Sequence, residues 1–69
     1  MPTTDEKNEK IKVVYQNTNM VASSMSETAF IKMVSEFRDR KDRKKYLDEY
    51  ALPEAKIEEV LSALEAARL

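Results

Sequence analysis

The stretch LPEAKIEEVLSALEAARL, residues 52–69, constrains the chain more than any other. Ile57, Val60, Leu61, Leu64 and Ala67 recur at steps of three and four, the spacing that gathers side chains on one helix face. Pro53 suits a first helical position, where its missing N–H would have no intrahelical partner. Glu54 and Glu58 sit toward the positive end of the helix dipole and Arg68 toward the negative end. Ala63, Ala66 and Ala67 let another helix backbone approach closely. The spacing predicts a helix over 53–68 that the rest of the chain must cover.

What the chain lacks narrows its chemistry. It has no cysteine, so disulfides and thiolate metal sites are excluded and nothing implies an oxidising compartment. It has no histidine, the commonest general base and metal ligand. It has no glycine, which removes Gly-rich phosphate loops and Asn-Gly hairpins. A nucleophile–base arrangement would have to use Ser with Lys or paired carboxylates. Glu54 and Glu58, one turn apart, are more simply a solvated face than a cation site. The expectation is a protein that is not an enzyme and holds no cofactor or metal. At 69 residues one small domain is expected, of a size where association often supplements a limited core. No apolar run approaches membrane-spanning length and the N-terminus has no signal-peptide core, so a soluble, cytoplasmic protein without membrane contact is expected.

In chain order, residues 1–10 are polar and aperiodic and read as a disordered tail, with one domain over 11–69. In IKVVYQ, residues 11–16, Ile11, Val13 and Tyr15 alternate with Lys12, Val14 and Gln16, which reads as a short extended strand or arm. No second strand candidate exists, so it would lie over the helices, pair with its counterpart in another subunit or add to a partner's sheet. Residues 17–25 read as a loop whose Met20 and Val21 dock on the core. A helix over about 26–39 follows, opened by Ser26 or by the Ser24–Glu27 capping box, with Phe30, Met33, Val34 and Phe37 as its apolar stripe. A turn is expected near 39–42. A short helix over about 43–50 then carries Tyr46, Leu47 and Tyr50 and stops before Leu52–Pro53. The fold class is mainly α: a small three-helix, helix-turn-helix-like domain with an N-terminal strand or arm. The methionines, Met1, Met20, Met25 and Met33, read as gap fillers.

KKYLDEYALPEAKIEEVLSAL, residues 44–64, resembles a helix-turn-helix unit: a short helix, a tight turn and a second helix opened by a Pro-Glu pair. The resemblance implies that Leu47 points inward from the first helix, Leu52 is the apolar residue of the turn, and Ile57 and Val60 point inward from the second. Ala51 departs from the pattern, which usually has glycine in the turn. A ribbon-helix-helix arrangement, also one strand and two helices, is a variant, although the loop at 17–25 is long for it and the short helix at 43–50 is extra.

Charge is unevenly spread. Residues 38–45 carry six basic and two acidic side chains, a net of +4, and residues 46–69 carry two basic and six acidic, a net of −4. A recognition helix needs Arg, Lys, Asn or Gln near its start. Here that position holds Glu54, Glu58 and Glu59 with only Lys56, so nucleic acid is a disfavoured partner. The run Arg40, Lys41, Arg43, Lys44 and Lys45 is either a solvated face laced by Asp39 and Asp42 or a contact patch for an acidic protein surface. No aromatic interleaves with it, which weakens single-stranded nucleic acid as a ligand. Tyr46 and Tyr50 share a helix face. With Tyr15 they are both core-packing candidates and candidate interface anchors.

The function expected is a small protein-interaction module: an adapter, or an inhibitor that occludes a larger protein, like many small phage-encoded proteins of this size. The alternative is a dimeric DNA-binding regulator whose residues 40–45 grip phosphates. A homodimer is expected in either case, because the two apolar stripes exceed what three short helices bury and the strand lacks a partner.

Overall fold

Ile11, Val14, Tyr15 and Thr18 recur at steps of three and four and are all buried, and that period decides the N-terminal half. In the computed structural model, which describes residues 4–69, the chain forms α1 (Thr4–Asn17), a 3-10 turn (Met20–Ala22), α2 (Glu27–Glu36), α3 (Arg40–Asp48) and α4 (Glu54–Ala66). The chain is mainly helical, as the periodicity predicts, with four helices rather than three and no strand among the described residues. The strand expected over 11–16 is helix, and so is most of the expected tail; only residues 1–3 of that tail lie outside the described residues. The physical reason is hydrogen bonding. A lone strand leaves its backbone groups unpaired, whereas a helix satisfies them within itself. β-branched propensity at Ile11, Val13 and Val14 is weak against that and against burial of one helical face.

The remaining boundaries follow local chemistry. Ser26 is the N-cap of α2, its hydroxyl accepting from the Ala29 amide at 3.2 Å. Ser24, the rival cap, instead donates to the Tyr50 carbonyl at 3.1 Å. α2 stops at Glu36, because Phe37 is extended at φ −113° and ψ 126°. α3 therefore starts at Arg40, three residues before the expected position, with Asp39 preceding it in extended conformation. Pro53 stands just outside α4 rather than in its first turn. Met20 docks in the core as expected, but Val21 is 67% exposed and does not.

Three helix ends need a left-handed residue, and a chain without glycine supplies Asn19, Ala51 and Arg68, at φ 56°, 57° and 58°. At the end of α4 the Leu69 amide donates to the Leu64 carbonyl at 2.9 Å and the Arg68 amide to Glu65 at 3.0 Å, the paired closure of a Schellman motif. Ala51 closes α3, its amide donating to the Asp48 carbonyl at 3.0 Å. This is the turn position where the helix-turn-helix resemblance calls for glycine. The inward positions implied by that resemblance are also met, since Leu47, Ile57 and Val60 are fully buried and Leu52 is half-buried.

The core joins Phe30, Met33 and Val34 of α2, Leu47 of α3 and Ile57, Val60, Leu61 and Leu64 of α4 to the inner face of α1. Met20, Met25 and Met33 fill the spaces between them. Tyr15 packs on Phe30 with ring centroids 5.4 Å apart, and its hydroxyl donates to the Met25 carbonyl at 2.7 Å. α1 therefore covers, within one chain, part of the apolar stripes of α2 and α4. Both α1 and α3 pack against α2 and α4.

Candidate functional site

The basic run divides into cations used inside the fold and cations left on its surface. The Arg40 guanidinium hydrogen-bonds the carboxylates of both Glu58 and Glu65, two turns apart on α4. The bond to Glu65 is the main reason its pKa is raised; burial opposes the shift, and the field of both carboxylates adds to it. Lys44 lies 3.8 Å from Glu54. These pairs are exposed and individually weak, yet together they set the positive side of α3 against the negative side of α4.

Arg43 is internal. Its side chain is 5% exposed, with Nε donating to the Phe37 carbonyl at 2.7 Å and Nη2 to Val34 at 3.2 Å and to the Leu69 main-chain oxygen at 2.7 Å. Two of these are carbonyls at the end of α2 that no longer have intrahelical donors. Arg43 thus caps α2 from α3 and ties in the end of α4. Burial pushes its pKa below the ordinary arginine value while the Glu65 field opposes the shift, and an arginine so placed keeps its charge at neutral pH.

Arg38, Lys41 and Lys45 remain exposed, and among the described residues none of them is in an ion pair. Beside Lys45 runs a ladder of half-buried rings. Phe37 stacks on Tyr46 with centroids 5.6 Å apart, and Tyr46 on Tyr50 at 5.5 Å. The two phenol oxygens lie 3.4 Å apart. That hydrogen bond is the main reason the Tyr46 phenol sits above its ordinary pKa, with burial, the Tyr50 side chain and the Glu36 and Glu49 carboxylates adding to it. Phe37, Asp42, Lys45, Tyr46 and Glu49 line a shallow depression of about 260 Å³.

Of the residues singled out from sequence, the structure therefore brings Lys45, Tyr46 and Tyr50 together, while Lys41 is exposed elsewhere on α3. Arg40 and Lys44 are turned toward α4, and Arg43 and Tyr15 are placed inside. The sequence places Phe37 in a core stripe and Arg38 in the basic run. The signal for both was present: the stripe ends at Phe37, and a stripe's last ring is often half out of the core.

A larger apolar groove of about 450 Å³ lies between α1 and α4. Val13 and Val14 face Ala63, Ala66 and Ala67 across it, and Lys10 and Asn17 lie toward its ends. Among the described residues no group of three or more acidic side chains is placed to hold a metal ion, and no helix is long and apolar enough to cross a membrane. Comparison with known protein families, with curated proteins and with solved structures finds no match to this chain.

Proposed function

We propose that the protein is a small non-enzymatic interaction module that binds a larger protein through the outer face of α3, as an adapter or as an inhibitor that occludes its target. The observation that carries this reading is the half-buried ladder of Phe37, Tyr46 and Tyr50, beside which Lys45 lines a depression with Asp42 and Glu49, while Arg38 and Lys41 are exposed and unpaired among the described residues. Aromatic rings offer large contact area at low entropic cost, and neighbouring cations add orientation and on-rate toward an acidic surface. The partner chemistry is therefore an acidic protein surface with an apolar recess for one or two rings. A cytoplasmic setting fits a chain without cysteine.

DNA binding stands as the alternative on the strength of the α3–turn–α4 unit. Its charges work against it. Glu54, Glu58 and Glu65 of α4 are the groups that take up Lys44 and Arg40, so phosphate binding by those cations would first have to break these pairs. Titration with random duplex DNA at two salt concentrations separates the readings. A regulator binds at low salt and weakens steeply as salt rises; the module shows no such salt-dependent binding. The positive test is capture from the native host's lysate with wild-type protein and with a Lys41→Glu/Lys45→Glu variant of unchanged circular dichroism. A partner held by the first and lost by the second supports the α3 face. Equal capture by both refutes it.

A further inference from the structure

The depression between Phe37 and α3 is lined by two rings and three charges: Phe37 and Tyr46, the carboxylates of Asp42 and Glu49, and the ammonium of Lys45. Two carboxylates against one ammonium leave one negative charge in excess. Asp42, Tyr46 and Glu49 follow at steps of four and three, which puts Tyr46 between the two carboxylates on one helix face. Neither carboxylate is in an ion pair among the described residues, although Lys45 stands three residues from one and four from the other. Glu36 is unpaired in the same sense, and its field joins that of Glu49 at the Tyr46 phenol. The α4 carboxylates that face α3 differ: Glu54, Glu58 and Glu65 already hold Lys44 and Arg40.

We propose that this depression binds an arginine side chain of a partner protein, its guanidinium lying against Phe37 and Tyr46 within the field of Asp42 and Glu49. The rings favour a cation, because the face of an aromatic ring is electrically negative. They favour a guanidinium over an ammonium, because the planar, weakly hydrated group stacks on a ring with less loss of solvation. The carboxylates set the sign. An anion would be repelled, and a neutral apolar side chain would gain the rings while leaving both carboxylates uncompensated. Lys45 is exposed on a flexible stem and swings aside when the site fills, so its charge limits affinity without blocking entry. The inference rests on the reading of α3 as a docking face only in supposing that a protein carries the arginine. The acidic remainder of that partner's surface would meet Arg38 and Lys41.

The probe is a capped peptide with one arginine between two alanines, titrated into isotope-labelled protein and followed by amide NMR. A citrulline peptide of the same shape without the charge, and a lysine peptide, serve as comparisons. The arginine peptide should give saturable shifts centred on Phe37, Tyr46 and Glu49, in the millimolar range of a single exposed contact. The citrulline peptide should bind about fivefold or more weakly, and the lysine peptide about twofold to fivefold more weakly. Glu49→Gln, at an exposed position, should keep native circular dichroism and weaken the arginine peptide by about twofold to fivefold. Lys45→Met should tighten it by about twofold to threefold, since it removes the opposing charge. Small, non-saturating shifts at exposed carboxylates everywhere, α4 included, are what a merely solvated helix face gives, and they overturn the proposal. Equal binding of the citrulline peptide overturns it too, as does a Glu49→Gln variant that binds like the wild type. Because the peptide carries the ligand itself, failure of the lysate capture leaves each of these outcomes as it stands.

Discussion

Replacing Arg43 by methionine isolates what the most buried cation contributes. Methionine keeps most of the aliphatic volume and removes the guanidinium, leaving the carbonyls of Val34 and Phe37 and the Leu69 main-chain oxygen without a donor they now have at 3.2, 2.7 and 2.7 Å. A hydrogen bond from a charged donor contributes about 1.5–3 kcal/mol net, but an acceptor that water can reach recovers most of its share. The bonds to Phe37 and Leu69 are only partly buried and the one to Val34 is buried. The expected loss is therefore about 2–3 kcal/mol rather than three full bonds. For a domain this small, where 1 kcal/mol moves the midpoint by about 4–8 °C, that is a fall of roughly 10–20 °C in Tm. Arg43→Lys should rescue little, because one ammonium cannot span three acceptors that a planar fork reaches. Lys45→Met, two residues away and exposed, should stay within about 0.5 kcal/mol of wild type. Urea and thermal unfolding followed by circular dichroism decide the matter. Arg43→Met within about 0.5 kcal/mol of wild type, or Lys45→Met costing as much, would refute the assignment of Arg43 as the tie between α2, α3 and α4.

Other perturbations have equally definite outcomes. Ala51→Gly should raise stability by about 0.5–1 kcal/mol, since a left-handed alanine costs roughly 1–2 kcal/mol and glycine returns about half of that as unfolded-state entropy; a lower urea midpoint would mean Ala51 does not hold that conformation in solution. Leu64→Asp, at a side chain with no exposure, should leave the domain unfolded at room temperature by circular dichroism, because it buries an unpaired charge. Tyr50→Phe should bring the ionisation of Tyr46 back down in an ultraviolet or NMR titration, since the Tyr50 hydroxyl is the main cause of its raised pKa. The sign follows from that direction. A folded-state pKa above the unfolded value of about 10 gives stability that is fully present below that value and is lost as pH rises through the folded pKa. The wild type should therefore lose more stability than Tyr50→Phe in that alkaline window.

The C-terminal half of the fold was legible because its apolar residues follow one period without competition. Ile57, Val60, Leu61 and Leu64 can only be a helix face, and the stop at Leu52–Pro53 is set by proline sterics. The N-terminal half was not, because IKVVYQ fits two periods at once. Read alone, Ile11, Val13 and Tyr15 alternate; read with Thr18, Ile11, Val14 and Tyr15 make a helix face, and only the rest of the core selects between them. The α1/α4 groove was hidden for the same reason, since Lys10, Val13, Val14 and Asn17 share a face only once residues 10–17 are helical. The split of the basic run could not be read locally either. Arg40, Arg43 and Lys44 find their partners 10–26 residues away or at the end of another helix, a distinction that sequence spacing within the run does not carry. Tyr46 and Tyr50 were legible as a pair at i and i+4, but Phe37 joins them only because α2 ends three residues sooner than its polar continuation suggests.

The measurement that bears most directly on the α3 face is a two-dimensional amide NMR spectrum of the labelled protein with and without its captured partner. Binding through α3 requires the largest shifts and line broadening at Phe37, Lys41, Lys45, Tyr46 and Tyr50, with the first turn of α4 little affected. Shifts centred instead on residues 54–59, or confined to the α1/α4 groove while α3 stays unchanged, would contradict it.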